Sequence, residues 1–153
     1  KYYVENNLYT KHYKAGYEIF KKKPFFGVGN KNFSKVCYAI PWKTVSEKGM
    51  ICSSHPHQIY LELLAEHGII GTLIILYIIF NILWSNIKNY LRFKNPIHFA
   101  TMIYVILSFL PLLPTGSFFG NFNSTLFWMN FALMLAFEKE NSIRNNEYNK
   151  YNK

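Results

Sequence analysis

Two histidines separated by one proline, His55-Pro56-His57, are the residues of this chain best suited to chemistry. Pro56 suits the first turn of a helix, where its missing N–H costs nothing, and Ser54 or His55 would then be the N-cap. The apolar spacing that follows predicts a helix from Pro56 to about Glu66. Both imidazoles would therefore lie at a helix N-terminus, where unpaired N–H groups and the positive end of the helix dipole gather.

A histidine pair in that position has three interpretations. A helix N-terminus binds phosphate and disfavours imidazolium, so a histidine there stays neutral and available as a general base. The pair would instead be structural if it only capped the helix and bonded to loop carbonyls. A zinc site would need further ligands; Cys37 and Cys52 are the conceivable ones, but no convincing set lies nearby, and we expect no metal.

The two cysteines of the chain, Cys37 and Cys52, bracket a loop of mixed character. If this loop lies outside the cytoplasm, the two cysteines are expected to form a disulfide. Closing a loop of this length stabilises the fold by roughly 3 kcal/mol in the chain-entropy model. Two reduced thiols are the alternative.

The segment upstream predicts one amphipathic helix and one tight turn. The helix runs from Tyr9 to Lys23 and must stop before Pro24, because the residue preceding a proline is pushed out of the helical region. Gly27 and Gly29 follow in the turn and are expected to take conformations that other residues resist. The Lys21–Lys23 run is typical of a solvated face, and next to a membrane it suits anionic headgroups.

Charge is distributed unevenly along the chain. The formal net charge is +9, and residues 1–67 carry ten Lys and five Glu, whereas residues 95–137 carry no Lys, Arg, Asp or Glu. This pattern indicates a basic extramembrane segment joined to buried spans, and it excludes a nucleic-acid partner. Three membrane-spanning helices are predicted at about 68–90, 96–113 and 122–138. The tail, residues 139–153, is predicted to be disordered and cytoplasmic.

The short connections between the spans predict their orientation. The basic connection at 88–94 predicts a cytoplasmic location, and the uncharged turn at 114–123 predicts an external one. Residues 1–67 would then form a periplasmic loop with short helices, in an oxidising compartment. The ten lysines of this loop suit an anionic ligand, such as a lipid-linked diphosphate.

Because the chain begins at Lys1 without a signal-peptide pattern, we expect it to be the C-terminal piece of a longer membrane protein.

Six pieces of the chain, taken in order, carry a family resemblance. They are His12-Tyr-Lys-Ala15 with Ile19-Phe20, Pro24-Phe-Phe-Gly-Val-Gly29 with Phe33, Cys37 with Cys52-Ser-Ser-His-Pro-His57, Tyr60–Gly71, Pro114–Phe119 and Phe127-Trp128. Each piece alone is a weak signal, whereas the ordered set is specific. The set resembles the C-terminal part of the O-antigen ligase/polymerase family of bacterial inner-membrane proteins.

This resemblance implies an all-α integral membrane fold, a polytopic helical bundle of which this chain is a fragment. It implies a multi-pass protein of the bacterial inner membrane that takes a glycan from undecaprenyl diphosphate, with its active loop in the periplasm. The acceptor of a ligase is a sugar hydroxyl of lipid A-core, that of a polymerase is another lipid-linked repeat, and relatives transfer the glycan to protein. The implied partners are therefore this donor, a glycan acceptor and membrane lipid, and no cofactor is implied.

The resemblance also implies roles for individual residues. His57 corresponds to the family's histidine and is predicted to be the general base, with His55 orienting it or the acceptor. The family's periplasmic arginine has no counterpart here, and lysine binds phosphate only as a point charge. Four further residues are predicted to bind substrate: Lys11, His12, Lys14 and Gln58. Glu66 is predicted to be structural, at the junction between the helix and the first span.

A non-catalytic transporter or assembly protein on the same scaffold is the alternative from another class. Polar residues lining a route through the spans would favour it, but the predicted spans contain few of them, among them Asn81, Ser85, Ser108 and Asn130. His98 lies near a predicted membrane boundary, where we expect its ring to reach the interface. The enzyme interpretation is therefore preferred.

Overall fold

The computed structural model of the protein describes residues 7–110 and 114–151, with side chains up to residue 138 and at Ile143. These residues form helices and no strand, which confirms the predicted all-α class for this part of the chain. In chain order the helices are α1 (Leu8–Lys22), α2 (Phe33–Tyr38), α3 (Trp42–Glu47), α4 (Ile59–Phe93), α5 (Pro96–Ser108) and α6 (Asn121–Tyr151).

The described residues form two compact units. The first consists of the residues up to Leu76 together with those from 114 to Ser124, and the second consists of Tyr77–Leu110 and the residues from Thr125 onward. The first unit therefore holds α1, α2, α3 and the beginning of α4. The second holds the remainder of α4, helix α5 and most of α6.

Helix α1 follows from its local sequence. The Asn7 side chain accepts a hydrogen bond from the Tyr9 N–H at 3.0 Å and caps the helix. The face that carries Ala15 and Ile19 is buried, as the amphipathic pattern predicts. The helix ends at Lys22, so the predicted helix is confirmed to within one residue at each end.

A small apolar core holds the first unit together. Its buried members come from α1, α2, α3, the start of α4 and the loops before and after α3. They are Ala15, Ile19, Phe33, Cys37, Ile40, Val45, Met50 and Ala65. Burying a large side chain such as Phe33 stabilises the fold by about 1.5–3 kcal/mol. Cys37 and Cys52 form a disulfide with their Cα atoms 5.6 Å apart, and this bond fastens the loop after α3 to the core.

Helix α4 is interrupted at Gly68, where φ is 65° and ψ is −172°. Such a break leaves carbonyl groups unpaired on one side and N–H groups on the other. The turn at residues 24–29 supplies partners for both sets. Four backbone hydrogen bonds do so: Val28 N–H to Ala65 C=O (2.9 Å), Gly29 N–H to Glu66 C=O (2.8 Å), Ile69 N–H to Pro24 C=O (2.8 Å) and Ile70 N–H to Phe25 C=O (3.2 Å).

Two glycines allow the turn to approach the break this closely. A Cβ atom added to Gly27 would lie 2.3 Å from the carbonyl carbon of Glu66, and one added to Gly68 would lie 2.3 Å from the carbonyl oxygen of Phe25. Both glycines have positive φ, as does Gly29, which confirms the conformations predicted for Gly27 and Gly29. The turn is therefore a structural clasp on α4.

Two predicted helix boundaries differ from the structure. Helix α4 begins at Ile59 and not at Pro56, because the Gln58 side-chain oxygen accepts from the Leu61 N–H at 2.7 Å and acts as the cap. His57, with φ at 57°, is outside the helical region. At the other end of the chain, α6 continues to Tyr151, where a disordered tail was expected from residue 139. No Gly or Pro follows Gly120 to stop that helix.

One described helix, α4, is long and apolar enough to cross a membrane, judged by its length and composition. Helix α5 is a shorter apolar helix of 13 residues. It ends at Ser108, and residues 111–113, which belong to the predicted second span, lie outside the described residues. The predicted bundle of three spans therefore remains a prediction.

A polar cluster joins the three helices of the second unit. His98 on α5 is fully buried, and its Nε2 lies 2.8 Å from Asn86 Oδ1 on α4. Asn86 Nδ2 donates to Glu138 Oε2 on α6 at 3.1 Å, and Ser85 Oγ donates to Glu138 Oε1 at 2.5 Å. The expectation that the His98 ring reaches the interface is therefore wrong, because the imidazole has a partner inside the unit.

A histidine cluster before helix α4

Three histidine rings meet in front of α4. The ring centroids of His55 and His57 are 4.1 Å apart, and those of His12 and His57 are 4.7 Å apart. The ring of Tyr9 lies edge-on to His57 at 5.9 Å. We call His12, His55 and His57 the histidine cluster. It combines a residue of α1 with two residues of the loop that precedes α4.

Helix α1 presents His12 from its buried face. The side chain is 7% exposed, and its Nδ1 lies 3.2 Å from the carbonyl oxygen of Ile51. Gly16, one turn further along α1, lets the loop approach, because a Cβ there would lie 2.9 Å from Pro56 Cβ. Pro56 is fully buried at this contact. The packing of Pro56 on α1 therefore sets how near His55 and His57 come to His12.

Three hydrogen bonds hold the loop that carries His55 and His57. Ser53 Oγ donates to the His55 carbonyl at 2.5 Å, and Ser54 Oγ lies 2.9 Å from His55 Nδ1. The Thr115 N–H donates to the His57 carbonyl at 3.0 Å. His57 itself has a φ of 57°, a left-handed backbone conformation that costs a non-glycine residue about 1–3 kcal/mol and is common at functional sites.

The surroundings of the cluster lower two pKa values. Burial is the main cause that lowers the pKa of His55 below its ordinary 6.5, followed by the neighbouring His57, while a backbone contact with Thr115 acts in the opposite direction. Burial also lowers the pKa of His57, and the nearby His12 adds to this effect. Both rings are therefore neutral at pH 7, and a neutral imidazole can accept a proton.

The other predicted substrate-binding residues, Lys11, Lys14 and Gln58, are close in sequence to His12 or His57. Lys11 and Lys14 lie on α1 on either side of His12, and the Lys14 side chain is exposed. Gln58 directly follows His57, but its side-chain oxygen is engaged in capping α4 at Leu61 N–H. The structure thus gives Gln58 a local structural role. Substrate contacts of all three residues remain predictions.

Two buried glutamates brace the beginning of α4. Glu66, 3% exposed, accepts hydrogen bonds from the N–H groups of Lys31 at 2.8 Å and Phe33 at 3.2 Å. Glu62, 2% exposed, accepts from Ser117 Oγ at 2.5 Å and from the Phe118 N–H at 2.8 Å. No role was predicted for Glu62 from the sequence. Two acidic residues one helical turn apart in an otherwise apolar run were the available signal.

A cavity of about 470 Å³ opens beside His55, within the first unit. His55, Glu62 and Glu66 line it, together with Lys31 and the aromatic ring of Phe119. Its wall therefore offers hydrogen-bond acceptors, one cation and an apolar face. Such a lining suits a ligand that carries several hydroxyl groups.

The two cysteines that could have completed a zinc site with the histidine pair are not available as ligands. Cys37 and Cys52 are joined in a disulfide, so neither supplies a thiolate. In the described part of the chain, no group of three or more His, Cys, Asp or Glu side chains is placed to hold a metal ion.

Residues 4–76 match the family model described as O-antigen ligase. The matched segment contains α1, α2, α3, the histidine cluster and the break at Gly68. No curated protein and no solved structure gives a significant match to the chain.

Proposed function

We propose that this chain, whose residues 4–76 match the O-antigen ligase family model, moves a glycan from undecaprenyl diphosphate to a sugar hydroxyl of lipid A-core. The family is one of membrane-embedded glycosyltransferases of the O-antigen ligase/polymerase type. The proposal adds the donor, the acceptor and the catalytic residues.

The observation that carries the proposal is the histidine cluster itself. The His57 ring lies within 4.1 Å of His55 and 4.7 Å of His12, measured between centroids, and both loop histidines have a lowered pKa. A sugar hydroxyl is a weak nucleophile and needs a base to take its proton. His57 is that base, and His55 and His12 are the neighbours that hold its ring in place.

The reaction is a displacement at the anomeric carbon of the donor. The acceptor oxygen forms a bond to that carbon as its proton passes to a ring nitrogen of His57. The bond from the anomeric carbon to the phosphate oxygen breaks, and undecaprenyl diphosphate leaves with the electron pair. A diphosphate leaving group needs nearby positive charge rather than a general acid, and Lys11 and Lys14 flank His12 on α1 for this purpose.

The cavity beside His55 is a suitable place for the acceptor sugar. The carboxylates of Glu62 and Glu66 each retain lone pairs for a hydroxyl donor, and the ring of Phe119 offers an apolar face to a sugar. Since His55 lines this cavity and contacts His57, a hydroxyl bound here is delivered to the base.

The disulfide supports a location for this segment in an oxidising compartment, because such bonds are rare in the cytoplasm. We therefore assign residues 1–67 to the periplasmic side of the bacterial inner membrane. Lipid-linked donors and the lipid A-core acceptor would meet the cluster there. A polymerase or a protein glycosyltransferase uses the same base and donor and differs only in the acceptor.

A complementation experiment tests the proposal. The full-length gene, wild type or His57→Ala, is expressed in a host that lacks its own O-antigen ligase, and polysaccharide on lipid A-core is separated by gel. We expect wild type to restore the modified lipopolysaccharide and His57→Ala, at equal membrane level, to fail. Restoration by both would overturn the assignment of the base. Restoration by neither would overturn the assignment of lipid A-core as the acceptor. Longer lipid-linked chains would then identify a polymerase, and glycosylated protein would identify a protein glycosyltransferase.

A further inference from the structure

The end of α1 and the turn that follows it carry an exposed surface of unusual composition. Phe25 is 64% exposed and Phe26 is 77% exposed. Lys21, Lys22 and Lys23, which precede Pro24, are exposed as well. We propose that these five residues, the anchoring surface, bind the anionic phospholipid headgroups of the bilayer that α4 enters. The proposal depends on the membrane embedding of the family and not on glycosyl transfer.

The backbone contacts of the turn fix its height relative to α4. The carbonyl groups of Pro24 and Phe25 accept from the N–H groups of Ile69 and Ile70, at 2.8 and 3.2 Å. Ile69 and Ile70 begin the apolar run that follows the break at Gly68, and further along it Leu73 and Ile74 expose 60% and 54% of their surfaces. The two phenylalanines therefore lie beside the first turn of the apolar run, at the level where a bilayer interface would be.

The charges beside the phenylalanines match an anionic surface. Lys21 pairs with Glu18 and lies over the ring of Tyr17 at 4.8 Å. Among the described residues, no ion pair involves Lys22 or Lys23. Basic residues next to a span are attracted by anionic headgroups, and aromatic rings favour the interfacial layer. Lysines beside exposed phenyl rings suit a lipid surface better than a dry protein contact, where lysine is depleted.

Anchoring here would also position the histidine cluster. The same turn donates to Ala65 and Glu66 of α4, and Glu66 in turn holds the N–H groups of Lys31 and Phe33. A bilayer contact at Phe25 and Phe26 thus fixes the height of the first unit above the membrane. The diphosphate of a lipid-linked donor lies at that height.

Site-directed spin labelling measures the depth of the turn directly. Both cysteines of the chain are in the disulfide, so Phe26→Cys introduces a single reactive thiol. The labelled full chain is placed in phosphatidylcholine vesicles that contain phosphatidylglycerol, and the accessibility of the label to oxygen is compared with that to a water-soluble nickel complex. Exposed Ser46 on α3 and exposed Ile74 on α4 supply aqueous and bilayer references as Ser46→Cys and Ile74→Cys.

We expect the label at residue 26 to be several-fold more accessible to oxygen than to nickel, as at residue 74. A nickel accessibility equal to that at residue 46 would overturn the proposal, because the turn would then lie in water. Protection from both reagents would overturn it too, since a protein segment would then cover the surface.

The contribution of charge has its own control. In the Phe26→Cys chain, Lys22→Glu with Lys23→Glu should lower the oxygen-to-nickel ratio several-fold in vesicles with phosphatidylglycerol and leave it nearly unchanged in pure phosphatidylcholine. The matched pair Lys35→Glu and Lys43→Glu reverses two exposed lysines on α2 and α3. An equal effect of this control pair, or no effect of the first pair, would contradict the assignment of Lys22 and Lys23 to headgroup contact.

Discussion

The ring of His57 lies 4.7 Å from that of His12, although one residue precedes α4 and the other belongs to α1. The contact exists because Gly16 has no side chain at the point where Pro56 packs on α1, at 2.9 Å from the position of a Cβ. The geometry of the proposed base therefore depends on a glycine of α1 that is not part of the histidine cluster.

Adding a methyl group at Gly16 should separate stability from activity. Gly16→Ala raises helix propensity by about 1 kcal/mol, which offsets part of the clash with Pro56. We expect the folded fraction to change little. The transfer rate should fall by about tenfold, because small displacements of catalytic groups are costly. Rates normalised to folded protein test this prediction, and an unchanged rate would show that the spacing between His12 and His57 is not critical.

The pH dependence of transfer should reflect the lowered pKa values of His55 and His57. A base must be neutral, so the rate should be constant near pH 7 and should fall only below the ordinary histidine value of 6.5. His12 contributes to the lowered pKa of His57. Substituting His12→Gln should therefore move the acid limb of the profile to higher pH. A limb that moves to lower pH would contradict the assigned coupling.

The clasp between the turn at 24–29 and α4 should be sensitive to any side chain at Gly27. Gly27→Ala combines a positive φ with a backbone clash at 2.3 Å, whereas Gly49→Ala has a similar φ of 59° but only the Lys14 Nζ nearby, at 3.8 Å. Strain of this kind alone costs about 1–3 kcal/mol. Thermal unfolding should show the Gly27 variant to be clearly less stable than the Gly49 variant, and equal losses would mean that the close contact is relieved by small shifts.

Glu66 should matter for stability through its acceptor oxygens. In Glu66→Gln an NH₂ group replaces one acceptor opposite the N–H of Lys31 or Phe33, so one buried hydrogen bond is lost at a cost of about 1–3 kcal/mol. Glu47→Gln, at an exposed position on α3, is the matched control and should change the free energy of unfolding very little. Denaturant titration of both variants measures their free energies of unfolding. Equal values would show that the hydrogen bonds accepted by Glu66 do not stabilise the fold.

Local signals in the sequence accounted for much of the first unit. The apolar face and the proline that follows predicted α1, and the glycines predicted the turn, because each depends on neighbouring residues only. The start of α4 was predicted incorrectly, since Pro56 suits a first turn equally well and only the structure shows Gln58 acting as the cap.

Contacts between distant segments were beyond prediction from one sequence. Nothing in the local pattern paired Glu62 with Ser117 and Phe118, and His98 was expected at an interface although it bonds to Asn86. Both cases involve a polar residue whose partner lies on another helix. The histidine cluster was half predicted: the His55–His57 pair was evident from its spacing, whereas the contact with His12 requires α1 and the loop to pack together.

The rate of glycan transfer by the purified full-length protein, with undecaprenyl diphosphate-linked donor, tests the role of His57 most directly. Three proteins are compared at equal folded amounts: wild type, His57→Ala and His67→Ala, the last removing a histidine whose ring packs on Phe119 and lies outside the cluster. We predict that His57→Ala loses at least a hundredfold in rate, as expected for a general base, while His67→Ala keeps most of it. Equal rates for wild type and His57→Ala would contradict the assignment of His57 as the base.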